Sequence, residues 1–276
     1  MALLYRSKSY QEHTINNSLN KNRSRLALVL LMLLSSPMIM ATDVPVIAAA
    51  ASVKFALQEI SEAFQLDTGK RVRISYGSSG NLTRQIQQGA PFELFLSANT
   101  RYVAELERRQ KTLGPGTVYA LGRVALLTSK NSSLLLDEQL NGIKLALQNG
   151  QLQRFAIANP EHAPYGIAAR DILQKLNLWV LAQPHLVLGE NAAQAAQFAS
   201  SGAAQAGLIA YSLALAPTLQ QRTRYLLVPE NLHQPLQQTM VLLNNAGDTV
   251  KSFFLYLQQD KARTILTRYG YTIPYR

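Results

Sequence analysis

The chain has 276 residues, enough for one large or two ordinary domains with a sizeable core. With 47% apolar and 16% charged residues, general disorder is excluded. Cysteine is absent, which removes disulfides, thiolate metal sites, cysteine nucleophiles and lipid attachment through cysteine. The net charge of +11 invites a nucleic-acid reading, but Arg6, Lys8, Lys21, Arg23 and Arg25 against Glu12 put +4 of it in residues 1–41. The remaining +7 is spread thinly and lacks the interleaved aromatic platform of a strand-binding surface, so no nucleic-acid partner is expected. A mildly basic surface does raise the local concentration of small anions.

In chain order, basic residues Lys21 to Arg25 precede the apolar run Leu26–Leu34, the pattern of an export signal. The run is too short to span a bilayer, and cleavage is expected near Ala41 or Thr42; an uncleaved anchor is the alternative. Residues 1–42 therefore read as a signal peptide, and the product as a soluble exported protein, most simply in a periplasm.

From residue 43 short apolar strands alternate with amphipathic helices, the pattern of an α/β protein. Strands are expected at 44–49, 71–75 and 94–97, with helices at 53–64, 81–88 and 100–110 between and after them. Gly114-Pro-Gly116 ends the first set, and a strand at 119–128 leads the chain into a second lobe. There, strands are expected at 155–158 and 206–210 and helices at 166–176 and 191–200. A strand at 238–243 and a final helix at 249–269 return to the first lobe. The expected division is lobe 1 over 43–122 and 238–276, and lobe 2 over 123–237.

Ligands of open α/β sheets bind where strands hand over to helices. Ser52, the turn Gly77-Ser-Ser-Gly80, the segment Pro160–Gly166 and the segment Gly189–Ala192 all sit at such junctions. Each offers free N–H groups at a positive helix end, and if they converge they form an anion site with no formal cation. Taken singly, Ser52 and Ser79 read as ordinary N-caps and Pro164 as a helix-start proline.

Six stretches carry a resemblance. They are Ala48–Ser52, Ser79–Ile86, Gly89–Asn99, Asn159–Gly166, Gly207–Tyr211 and Arg268–Tyr271. In this order they resemble the molybdate-binding proteins of bacterial ABC transporters, the ModA family, from about residue 44 to the end. The resemblance implies a two-lobed periplasmic-binding-protein-like fold of type II, each lobe a mixed sheet flanked by helices, with the ligand cleft between them. It also implies an oxyanion, molybdate or tungstate, as transported ligand, no cofactor, no enzymatic activity, a membrane permease with its ATPase as partner, and a monomer.

Carried over by position, the resemblance gives Ser52 and Ser79 as hydroxyl donors, Tyr165 and Ala192 as backbone N–H donors at helix starts, and Tyr211 as a further hydroxyl donor. Tyr165 stands where the family has a small residue and Ala192 where it has a larger aliphatic one, which leaves the donors in place but bears on pocket volume. A shell made only of donors suits a fully deprotonated dianion. Hydrogen bonds to a charged group are worth about 1.5–3 kcal/mol each, so neutral donors suffice for micromolar capture, which needs about 8.2 kcal/mol.

Sulfate, phosphate or an organic acid is the alternative ligand; Glu161 and Glu190 lie near the junctions, and a carboxylate acceptor would favour protonated phosphate. A secreted serine hydrolase is the rival from another class. Against it, the Gly-x-Ser-x-Gly spacing is missing and His162, His185 and His233 have no metal-ligand spacing. The expected mechanism is capture by closure, with bending where the chain crosses near Tyr119–Leu127 and Leu236–Leu243.

Overall fold

A computed structural model describes residues 44–274; the expected signal peptide lies outside the described residues. The first strand, β1 (Val46–Ala50), leads through a 3-10 turn at Ala51–Val53 into α1 (Lys54–Thr68). Gly69 stops that helix: it takes the left-handed conformation, φ 70°, and its N–H closes on the Gln65 carbonyl. Then follow β2 (Arg73–Gly77), α2 (Ser79–Gln87), β3 (Phe92–Ser97) and α3 (Thr100–Arg108). Strands β1, β2 and β3 are parallel, so their carboxyl ends point the same way.

The chain then runs through β4 (Thr117–Gly122) and directly into β5 (Val124–Ser129). A single strand was expected here; Arg123 interrupts it because the two parts pair in different sheets. The second half holds α4 (Asn141–Gln148), β6 (Phe155–Ala158), α5 (Pro164–Lys175), the short α6 (Trp179–Ala182), β7 (Leu186–Gly189) and α7 (Ala192–Ser201). It continues with β8 (Ala206–Ala210), the single turns α8 (Tyr211–Ala214) and α9 (Pro217–Gln220), and β9 (Thr223–Leu227). The strand β10 (Leu236–Leu242) then returns to the first sheet, followed by α10 (Asp248–Tyr256) and α11 (Asp260–Arg268).

Two five-stranded sheets result, in the orders β2-β1-β3-β10-β4 and β7-β6-β8-β5-β9. They share one plan. Each has three parallel strands, then one antiparallel strand that has just crossed from the other half, then a closing edge strand. The two crossings meet, with Leu236 opposite Gly122.

Burial on both faces explains the apolar strands. Along β3, Leu94 and Leu96 join one core with Ile47, Leu57, Ile60 and Phe64, while Phe92 and Phe95 join another with Leu82, Val103 and Leu106. The first core is closed by the C-terminal helices, where Phe64 meets Phe253 edge-on at 5.0 Å between ring centres. The expected single helix over 249–269 is two. Leu257–Gln259 breaks it, which lets Phe253 and Tyr256 and then Ile265 and Leu266 face the same core. Asp260 at the second helix start is the sequence signal for that break.

Asp67 near the end of α1 joins these helices: it accepts from Tyr256 at 2.7 Å and from Lys261 at 2.7 and 2.8 Å. The Lys261 bond, then the Tyr256 bond, hold its carboxyl below the ordinary aspartate value. A lowered pKa means stability that is present above the usual carboxylate range and lost as pH falls through the folded value. Asp67→Asn should therefore lower the thermal midpoint at pH 7, and the gap to the parent should close on acidification; melting curves from pH 7 to 3 check both.

Candidate functional site

Four of the helix starts met by parallel strand ends converge on one small cavity between the sheets. It is lined by Ala51, Ser52, Ser78, Ser79, Tyr165 and Ala192, together with neighbouring alanines, Gly77 and Pro164. Its volume for the centre of a water-sized sphere is about 10 Å³, close to what one water requires. Larger open grooves of about 270, 410 and 820 Å³ lie elsewhere, but none gathers these four starts.

Local chemistry decides which donors face the cavity, because the first N–H groups of a helix have no intrahelical acceptor. At α2, Asn81 N–H bonds the Ser78 hydroxyl, Leu82 N–H bonds the Ser78 carbonyl and Gly80 N–H bonds the His162 carbonyl, so the Ser79 N–H is left. At α7, the Asn191 side chain accepts from Ala193 and Gln194, its carbonyl accepts from Ala195, and the Ala192 N–H is left. At α5, Pro164 has no N–H, Gly166 and Ile167 both bond the Ala163 carbonyl, and the Tyr165 N–H is left. Ser52 lies in the turn after β1, ahead of the bond from Lys54 N–H to the Ala51 carbonyl.

Neither predicted serine is a cap; that role falls to Ser78. Ser79 Oγ accepts from Ala98 N–H at 3.0 Å, which frees its hydroxyl proton for the cavity. Ser52 Oγ is buried with no hydrogen-bond partner. A buried hydroxyl without a partner is costly, and Ser52 is among the residues that line the cavity.

The structure thus brings Ser52, Ser79, Tyr165 and Ala192 to one cavity; Tyr211 is not among its lining residues, although the next residue, Ser212, donates to the Ser52 carbonyl. Tyr211 opens α8, its N–H bonds the Arg123 carbonyl, and its ring lies edge-on to Tyr225 at 5.4 Å. It is not part of the cavity lining. Sequence reasoning passed over Ser78, although a serine three residues ahead of a helical N–H is a cap signature.

The rim is polar. His162 Nδ1 meets Ser78 Oγ at 2.9 Å, its Nε2 lies 3.6 Å from Glu190, and Asn81 links Glu190 to Arg84. These contacts join the two halves, as does Gly80 N–H to the His162 carbonyl at 2.9 Å. Glu190 is thereby kept at the rim, Glu161 is exposed beside Arg170, and no carboxylate lines the cavity. Behind the site, burial raises the Tyr119 and Tyr165 hydroxyls and pushes Tyr271 up to about 12, so all three remain protonated at neutral pH.

The profile of bacterial extracellular solute-binding proteins matches residues 45–272. A molybdate-binding protein ModA of Rhodobacter capsulatus is 34% identical over 248 residues, covering 89% of this chain and 94% of its own. One from Azotobacter vinelandii is 34% identical over 228 residues, covering 82% and 88%. The solved structure of the Azotobacter vinelandii periplasmic molybdate-binding protein superposes with a TM-score of 0.76 at 28% identity, covering 84% of this chain and all of that one.

Two substitutions test this geometry. Asn191→Ala removes a cap and should cost about 1 kcal/mol of stability, read from denaturant unfolding. Tyr211→Phe should leave anion affinity unchanged by calorimetry, because its hydroxyl is not in the lining; a loss of tenfold or more would return it to the site.

Proposed function

The chain belongs to the bacterial extracellular solute-binding proteins, and from that premise we propose that it captures molybdate, with tungstate as an equivalent ligand, and delivers it to the permease of an ABC transporter. It is an extracytoplasmic binding protein rather than an enzyme. In this reading it is a periplasmic monomer without cofactor, released from its signal peptide, with lobes at 43–122 with 238–276 and at 123–237.

The observation that carries the proposal is the composition of the lining: leftover N–H groups at Ser52, Ser79, Tyr165 and Ala192, two serine hydroxyls, and no carboxylate. Molybdate is a deprotonated tetrahedral dianion that accepts hydrogen bonds and donates none. Six donors at about 1.5–3 kcal/mol each give about 9–18 kcal/mol before ordering costs, against about 8.2 for micromolar affinity. Monoprotonated phosphate needs an acceptor for its proton, and the nearby Glu190 is engaged by Asn81 and lies beside His162.

The cavity lies where the two halves meet, so the reading has the anion enter when the lobes part. The crossings at Arg123 and before Leu236 are where the chain would bend. The one second reading is sulfate, because a lining of donors without a carboxylate suits any fully deprotonated dianion.

Calorimetric titration of the mature protein with molybdate, tungstate, sulfate and phosphate decides between them. Molybdate and tungstate are expected to bind far more tightly than sulfate, and phosphate weakest; equal affinity for sulfate would overturn the ligand while leaving the site. Ser52→Ala and Ser79→Ala should each weaken molybdate binding by about 10–150-fold, one charge-assisted hydrogen bond's worth.

A further inference from the structure

Tyr165 faces two ways. Its backbone reaches the cavity, while its ring runs into the place where the strands cross between the halves. A Cβ built on Gly122, the last residue of β4, would stand 2.2 Å from the Tyr165 hydroxyl and 3.0 Å from Gln238 Nε2. Gly122 does not have a positive φ, so the missing side chain serves clearance rather than backbone conformation.

The hydroxyl is fully buried, close to those of Tyr271 and Ser52. Tyr271 donates to Ser212 Oγ at 3.2 Å, and Ser212 donates to the Ser52 carbonyl at 2.7 Å. Tyr165 comes from α5 in the second half; Gly122, Gln238 and Tyr271 belong to the first. The contact therefore spans the halves at the point where Leu236 pairs with Gly122.

We propose that Tyr165 is a positioning residue that couples anion seating to lobe docking: its hydroxyl fits the notch over Gly122 only when the halves are together, and that fit holds its own N–H at the cavity. The proposal rests on the oxyanion reading above. The clearance at 122 and the tyrosine at 165 are then one device. A smaller side chain at 165 would supply the same N–H with nothing to fix it against the first lobe.

The test is a double-mutant cycle on Gly122→Ala and Tyr165→Phe, with molybdate affinity by calorimetry and compaction on molybdate addition by small-angle scattering. Gly122→Ala is expected to weaken binding about 10–100-fold, an overpacking penalty, and to abolish compaction. The double variant is expected to return close to Tyr165→Phe, because the clashing oxygen is gone. A Gly122→Ala protein that binds and compacts like the parent overturns the proposal, as does a folded double variant no better than Gly122→Ala.

Tyr165→Phe alone gives an arm that does not depend on how position 122 tolerates a methyl. Its molybdate dissociation rate is expected to rise several-fold with the association rate unchanged, and an unchanged dissociation rate overturns the proposal. A parent that takes up no oxyanion would sink the anion reading itself, whereas a binding parent matched by Gly122→Ala sinks only the coupling.

Discussion

A buried N–H must have an acceptor, and this molecule leaves one at each of several helix starts pointing into the same small space. The rest of the architecture follows from arranging that. Two sheets of one topology put parallel strand ends toward each other, and each local cap satisfies its neighbours while leaving a single donor over. Asn191, Ser78 and Pro164 reach this result by different means: a side-chain amide, a hydroxyl, and the absence of an N–H altogether. The outcome is a cavity at converging helix starts with no arginine or lysine in its lining, a setting that suits the dianion proposed above.

Small residues make the convergence sterically possible. Ala50 and Ala98 come from the first half yet pack within the core of the second, and Ala163 and Ala192 line the cavity from the other side. Around this apolar wall, the rim chain from Arg84 through Asn81 and Glu190 to His162 and Ser78 crosses between the halves. Its carboxylate, Glu190, is not among the cavity's lining residues.

The side where the strands cross is built with equal economy. Gly122 supplies clearance, Tyr165 fills it, and the hydroxyls of Tyr271 and Ser212 lead back to the Ser52 carbonyl. The site and the crossing strands therefore share residues, and the proposed coupling runs through packed side chains rather than over a long path.

How much of this could be read in advance differs by feature. The strands at 155–158 and 206–210, the junctions at Ser52, Ser79, Tyr165 and Ala192, and the two-lobed α/β plan were legible, because periodicity and helix-start chemistry are local properties. The helix at 141–148 and the strands at 186–189 and 223–227 were not, being short segments whose burial is set by distant neighbours. Tyr211 shows the limit best. Its place after a strand end was plain from its neighbours in the chain, but its backbone N–H bonds the Arg123 carbonyl and its ring packs on Tyr225, residues that only folding brings beside it. The sequence by itself determined which groups could donate; the tertiary structure decided which of them meet, since a shared point in space depends on register and crossing geometry that no local pattern encodes.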